Sequence, residues 1–413
     1  MTTGIRAKVA ALLLSAAMMN VAYTVLIPLV PTLSERFHLS PFEIAAAFGG
    51  FALAKALAQP LGGILVDRVA NPALLGFLGL GITAGSIAGL AFAGAGWQIL
   101  AWRLAWGVAE GLTMPALYRL ASALGSESEY GTSKVMGWFG AACAGGMVVG
   151  PLLVGALYPF LGFTGVFLTG AAVTAGGGVL LLSMRHSLNT LQESESDTGH
   201  DKAATGATMR LVAVLVGLFA VVDLVNNAVF AAMEPVLPLH LDQVTGDGVA
   251  FTSVIFSIGL AVFMVGTMAS SRIVERKPLL VVAGLSFGVE TVGLAVLGLT
   301  DGIVALCAGF LLFMAAQPVL YMVARQGVNL VPRHQLGRAF GAFGLVSDIG
   351  FIVGPLIGAL VYGWTGSGVF LALAAVTAVT GVALFAARAM PDRLVAGIYQ
   401  PAPVEPRDAT PAP

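Results

Sequence analysis

Ala144-Gly-Gly-Met-Val-Val-Gly-Pro-Leu-Leu-Val-Gly-Ala-Leu-Tyr158 is an apolar, glycine-rich run broken by Pro151 where an ordinary helix interior tolerates no proline. It returns as Gly350-Phe-Ile-Val-Gly-Pro-Leu-Ile-Gly-Ala-Leu-Val-Tyr362, with Gly354-Pro355 lying 204 positions after Gly150-Pro151 (354 minus 150), about half the chain. Half of the molecule has been built twice. Two further echoes agree: Pro28-Leu-Val-Pro31 with Pro235-Val-Leu-Pro238, and Gly62-Gly-Ile-Leu-Val-Asp-Arg-Val69 with Gly266-Thr-Met-Ala-Ser-Ser-Arg-Ile273, the latter again at 204.

Of the 413 residues 58% are hydrophobic and 10% charged, where a soluble domain carries about 25% charged residues. The apolar runs reach the roughly 20 residues of a membrane-crossing helix, not the 10 alternating residues of a barrel strand. Twelve such segments are expected, at 9–31, 43–66, 73–95, 97–121, 135–157, 163–184, 210–238, 250–271, 278–299, 302–325, 337–361 and 366–388. The expected architecture is all-α, with two pseudo-symmetric six-helix bundles at 1–185 and 210–390. A polar cytoplasmic linker fills 186–209, and a disordered, Pro- and Ala-rich cytoplasmic tail fills 391–413. With the N-terminus inside, the inner loops and helix ends collect the Lys and Arg residues, Arg325 among them, and the outer loops hold only Arg36. Both termini are therefore expected in the cytoplasm, in an inner or plasma membrane. The first apolar run continues into Pro28 and Pro31 and reads as a span, not a cleaved signal. Cys143 and Cys307 read as small core residues; no metal site, catalytic residue or cofactor is expected. No Gly-x4-Gly-Lys-Ser/Thr loop is present, so a proton gradient is the expected energy source.

Ionisable groups inside apolar spans cost about 2.5–3.5 kcal/mol each at a helix centre, so they mark pairing, a wet cavity or function. They are Lys55, Arg103, Glu110, Asp223, Glu234, Glu290 and Asp348. Glu234 precedes Pro235, which frees a carbonyl one turn back, and so suits proton or cation binding; an interfacial Glu is the plainer alternative. Arg103 and Glu110, seven apart, share a face of span 4 as a coupling or structural pair. Asp223 with Asn226 and Asn227 forms a polar cluster for substrate or for interhelical hydrogen bonds. Tyr23 and Tyr321 are among the aromatics that could meet an organic cation. Glu290 is as consistent with packing as with function.

These motifs resemble the major facilitator superfamily over the whole span region. Gly63-x-x-x-Asp67-Arg68 resembles its gating loop, although Ala70, Asn71 and Pro72 replace the expected Gly and basic residues. Arg103-x-x-x-Gly107 resembles the span 4 motif, whose Arg is associated with proton coupling. Gly146, Gly150, Pro151 and Gly155 match the span 5 motif of drug:proton antiporters. Met233-Glu-Pro-Val-Leu-Pro-Leu239 and Asn20 are similar to the vesicular monoamine and acetylcholine transporters, but Met19 stands where their acidic residue precedes this Asn. Their span 10 Asp likewise has no counterpart near Ala316 and Gln317. In that fold spans 2 and 11 are neighbours, which implies a Lys55–Asp348 ion pair between the halves. The resemblance thus implies a monomeric transporter in lipid, with Glu234, Asp348, Arg103 and Glu110 handling protons. Asn20, Asp223, Asn226, Asn227, Glu234, Tyr23 and Tyr321 would contact a small amphipathic, cationic cargo that is exported. Alternatives are an exporter of one metabolite such as a siderophore, a proton-coupled importer, or a sensor that has lost transport; nucleic acid is not an expected partner.

Overall fold

A computed structural model of the chain describes residues 2–68, 71–184, 206–274, 277–332 and 335–399. Among them the ordered elements are all helices. The first half holds α1 (Thr2–Val25), α2 (Val30–Phe37), α3 (Pro41–Arg68), α4 (Pro72–Ala91), α5 (Gly96–Glu127) and α6 (Thr132–Ser183). The second holds α7 (Gly206–Thr245), α8 (Gly248–Val274), α9 (Leu279–Leu299), α10 (Ile303–Val328), α11 (Leu336–Thr365), α12 (Gly368–Ala386) and α13 (Met390–Tyr399).

Local chemistry sets the helix ends. Pro28 interrupts the first span in a single 3-10 turn, Ile27–Leu29, and Pro31 restarts it as α2. Ser40 and Glu43 form a reciprocal capping box at the start of α3, with the Ser40 N–H donating to Glu43 Oε2 at 2.8 Å. Asn71 caps α4 by accepting from the Ala73 N–H at 3.1 Å, ahead of Pro72. Inside α6, Gly162 takes φ 61°, ψ −169°, a conformation open to glycine. The chain reverses there: Gly146 packs on Ala17 and Gly177 on Ser15 and Met18, so both halves of α6 pass the same level of α1. Gly366, again 204 positions on, ends α11 at φ 57° before the turn into α12. The repeat read from sequence therefore extends to backbone torsions.

Ten helices among the described residues are long and apolar enough to cross a membrane, α6 counting as one of them. α5 is not among the ten, because Arg103, Glu110 and Arg119 interrupt its hydropathy. It lies instead in close register with α3, where Gly107 meets the Phe51 carbonyl and Gly111 the Lys55 carbonyl.

Packing repeats as the sequence does. α1 lies on α6 and α7 on α11; α3 lies on α5 and α8 on α10; α4 lies on α6 and α9 on α12. The Gly-Pro stretches supply the first of these contacts: Gly150 abuts Val21 and Thr24, and Gly354 abuts the Ala228 backbone. A side chain at Gly354 has no room. Gly354→Leu should lower the unfolding temperature of the purified protein, overpacking there costing about 1–3 kcal/mol. Gly363→Ala on the same helix, where an added Cβ meets nothing within 4 Å, should leave it unchanged.

Among the described residues, the halves share a core at one end. One apolar cluster there draws on both, from Leu26, Phe48 and Phe167 to Val236, Phe256 and Phe370. Gly49 of α3 packs on Ile352 and Leu356 of α11, and Gly155 of α6 on Ser253 of α8. At the end that carries Thr2 and Gly206, each half keeps its own core: Leu12, Leu120 and Phe139 in one, Phe219, Phe287 and Val323 in the other. The result is a V, closed away from the termini and open towards them.

Two expectations about the segments change. The tail expected to be without structure from 391 begins instead with α13, which packs on α7 and buries Leu394 and Ile398; residues 400–413 lie outside the described residues. The linker expected at 186–209 falls outside them up to 205, and α7 already begins at Gly206.

Candidate functional site

The buried charges collect around the floor and walls of the V. At its floor, Glu234 of α7 is 3% exposed. Its only described hydrogen bond comes from the other half: the Tyr23 hydroxyl of α1 donates to Oε1 at 3.1 Å. Pro235 and Pro238 follow it within α7, which frees the backbone locally. Arg103 of α5 stands within electrostatic reach of both Glu234 and Tyr23. Its Nε donates to the Ala47 carbonyl at 3.3 Å, its Cζ lies 4.2 Å from the Phe51 ring centre and 4.9 Å from that of Trp106, and its Nη1 is buried without a partner. A cation held by aromatic faces in place of a carboxylate retains an unsatisfied charge.

The walls carry two ion pairs, one in each half. Lys55 Nζ of α3 donates to Glu110 Oε1 of α5 at 2.6 Å. Arg325 Nη1 of α10 donates to Asp223 Oδ1 of α7 at 3.1 Å, and its guanidinium lies 3.4 Å above the Tyr321 ring centre. Asn227 donates to Asp223 Oδ2 and to the Ser347 carbonyl, each at 3.3 Å. Asn226 is buried with its Oδ1 unpartnered. Asp348 is half-buried on α11, close enough to feel the charges of Lys55, Asp223 and Arg325. Asn20 donates to the Ala16 carbonyl at 2.9 Å and stands beside the Cys143 thiol.

This geometry corrects two expected pairings. Lys55 binds Glu110 rather than Asp348, because Gly107 and Gly111 draw α5 onto α3 within one half, whereas Asp348 sits across the open side. Arg103 and Glu110 make no direct ion pair either: Glu110 binds Lys55, and Arg103, still within electrostatic reach of Glu110, turns to the aromatic floor. Asp223 is fully buried behind Arg325. Of the gating stretch, Asp67 lies 3.5 Å from Arg119 of α5, Arg68 is exposed, and Gly63 faces open space while its neighbour Gly62 packs on α5. Gly146 and Gly150 hold α6 on α1, with Pro151 buried beside them, and Gly155 makes a contact between halves.

Sequence reasoning missed Arg325, assigned there to the inner membrane edge. Gln317, Tyr321 and Arg325 recur every four residues on α10, a polar stripe that would have exposed it. It also left Glu290 unassigned. That carboxylate is fully buried, accepts from Gln317 Nε2 at 3.0 Å, and leaves Oε2 without a partner.

Two all-helical halves related by an internal repeat and packed about a buried polar centre define a membrane transporter and not an enzyme. The sequence model of the Major Facilitator Superfamily matches residues 12–329, and the chain belongs to that family. It is 22% identical over 359 residues to a multidrug resistance efflux pump, the PmrA homolog of Lactococcus lactis subsp. lactis (strain IL1403), with 83% of this chain and 85% of the relative covered. Among solved structures it is similar to a nucleoside transporter, NupG, with a TM-score of 0.77 at 15% identity, covering 92% of this chain and 99% of that one. A bacterial homolog of the human lysosomal transporter Spinster, in an inward-facing and occupied conformation, gives a TM-score of 0.74 at 14% identity, covering 95% and 98%. The protein is therefore a multi-pass secondary transporter of small molecules.

Proposed function

We propose that the chain is a twelve-pass, proton-coupled antiporter that exports small amphipathic compounds bearing a basic nitrogen across the cell membrane. The twelve passes count α6 twice, about Gly162, and include α5. Residues 1–185 and 210–390 act as two bodies joined by 186–209, both termini are cytoplasmic, and the working unit is the monomer. In this orientation the V opens to the cytoplasm. The likeness to an efflux pump supports drug export.

The observation that carries this reading is the Tyr23–Glu234 hydrogen bond between the halves at the closed floor. Four carboxylates surround the centre, Glu110, Asp223, Glu234 and Asp348, against three cations, Lys55, Arg103 and Arg325. One negative charge is in surplus. In a site of low dielectric that surplus is neutralised either by a proton or by a cationic cargo, so the two compete. Tyr23 can donate to Glu234 only while the floor is closed, so proton occupancy and access are linked through one contact.

The test is proton release from purified protein on adding an amphipathic aromatic amine. Release should approach one proton per bound amine at acidic pH, where the carboxyl starts protonated, and vanish as pH rises through its titration. Binding without release at any pH, measured across a panel of such amines, would sink the antiport reading.

A further inference from the structure

The two wall ion pairs share an arrangement that a cation exporter does not need. In each the carboxylate is the buried partner and the cation the partly exposed one. The Lys55 side chain is 33% exposed and Glu110 7%; the Arg325 side chain is 32% exposed and Asp223 0%. The two heads come from opposite halves, Lys55 on α3 and Arg325 on α10. Tyr118 and Asp348 are each within electrostatic reach of both. Asp348 is the one half-exposed carboxylate between them, so the wall facing the opening carries two positive heads against one negative. The anions that neutralise the heads are withdrawn from any ligand.

We propose that Lys55 and Arg325 form an anion subsite for the cargo, which is therefore zwitterionic: an acidic group bridges the two heads while a basic nitrogen meets Glu234 or Asp348. This deepens the exporter reading and rests on it for the basic nitrogen alone. The subsite also has a mechanical consequence. Two like charges facing each other from opposite halves oppose closure of the open end, and a bound carboxylate, sulfonate or phosphate between them removes that opposition. Arg325, held flat on Tyr321, is fixed in orientation and suited to a planar carboxylate; Lys55 supplies a point charge.

The test uses the full chain with Cys143→Ser, Cys307→Ser and Tyr118→Cys, the last at a 44% exposed position beside both heads. Its thiol is labelled with a sulfonate-bearing and a trimethylammonium-bearing methanethiosulfonate, each rate being referred to a small free thiol. The anionic reagent should be favoured about tenfold. Lys55→Gln and Arg325→Gln should each cut that preference about threefold or more, and Arg325→Lys should retain it. Because Arg325→Gln leaves Asp223 buried and unpaired, the double variant Asp223→Asn with Arg325→Gln repeats the measurement in a neutral background. An aminoalkylnaphthalene carboxylic acid should slow the labelling more than its methyl ester does. Preference for the cationic reagent, a preference untouched by both neutralisations, or equal or reversed protection by acid and ester overturns the subsite. A thiol that reacts with neither reagent overturns the geometry on which it stands. The proton-release experiment involves no labelling, so either reading can fail while the other survives.

Discussion

In the proposed proton-coupled exporter, Glu234→Gln should abolish amine-induced proton release and uncouple export from the proton gradient, while the protein still folds. Glutamine keeps the shape and leaves an oxygen for the Tyr23 hydroxyl, which donates to Glu234 at 3.1 Å in the native chain. What it removes is the titratable group at the contact between halves. Each pH unit of gradient supplies about 1.4 kcal/mol per proton, a factor of about ten in cargo concentration ratio. Export from vesicles under a one-unit gradient should therefore lose about tenfold in accumulation and become flat with external pH. The parallel variant Asp348→Asn separates the two carboxylates that stand outside the ion pairs. If it loses release while Glu234→Gln keeps it, the proton belongs to the wall and not to the floor.

Gly49→Leu should hold the transporter in the opposite state. Gly49 faces the Ile352 carbonyl, and an added Cβ would stand 2.7 Å from that oxygen, which is backbone and cannot swing aside. Position 253 is its repeat counterpart, 204 residues on, and Ser253 makes the equivalent small-residue contact with Gly155. Both contacts belong to the closed end alone. A bulky side chain there penalises closure by about 1–3 kcal/mol, shifting the ratio of the two states roughly five- to 150-fold. Transport should fall by the same order. Impermeant thiol reagents added from outside should then reach a Tyr23→Cys reporter that the native closed end shields. If accessibility stays native while transport is lost, Gly49 matters to stability and not to the equilibrium between states.

The Gly-Pro stretches and their spacing make the two-half plan legible in the sequence, because a glycine that admits a neighbouring helix recurs wherever that approach recurs. Gly150 on Thr24 and Gly354 on Ala228 are that relation made physical. The buried charges were legible as a set, since charge within an apolar run announces itself. Their partners were not. Lys55 and Asp348 sit at similar depth, but depth along two helices does not say which third helix lies nearer, and Gly107 and Gly111 bring Glu110 in first. Arg325 was hidden by its place at the end of an apolar run, where an arginine reads equally as a membrane-edge anchor; its stacking on Tyr321 is a tertiary fact. The start of the tail misled for the opposite reason. The Pro- and Ala-rich composition beyond Tyr399 outweighed a ten-residue stretch whose Leu394 and Ile398 find a groove on α7.

The apolar cluster shared by both halves at the closed end has a thermal consequence. In the proposed alternating-access cycle, opening that end would part and wet residues such as Leu26, Phe48, Val236 and Phe256, which are packed together here. Wetting apolar surface carries a positive heat-capacity change, and its free-energy cost is nearly all entropic close to room temperature. The step that exposes cargo to the far side therefore has an enthalpy that changes with temperature. Turnover measured over a range of temperatures should therefore give a curved Eyring plot.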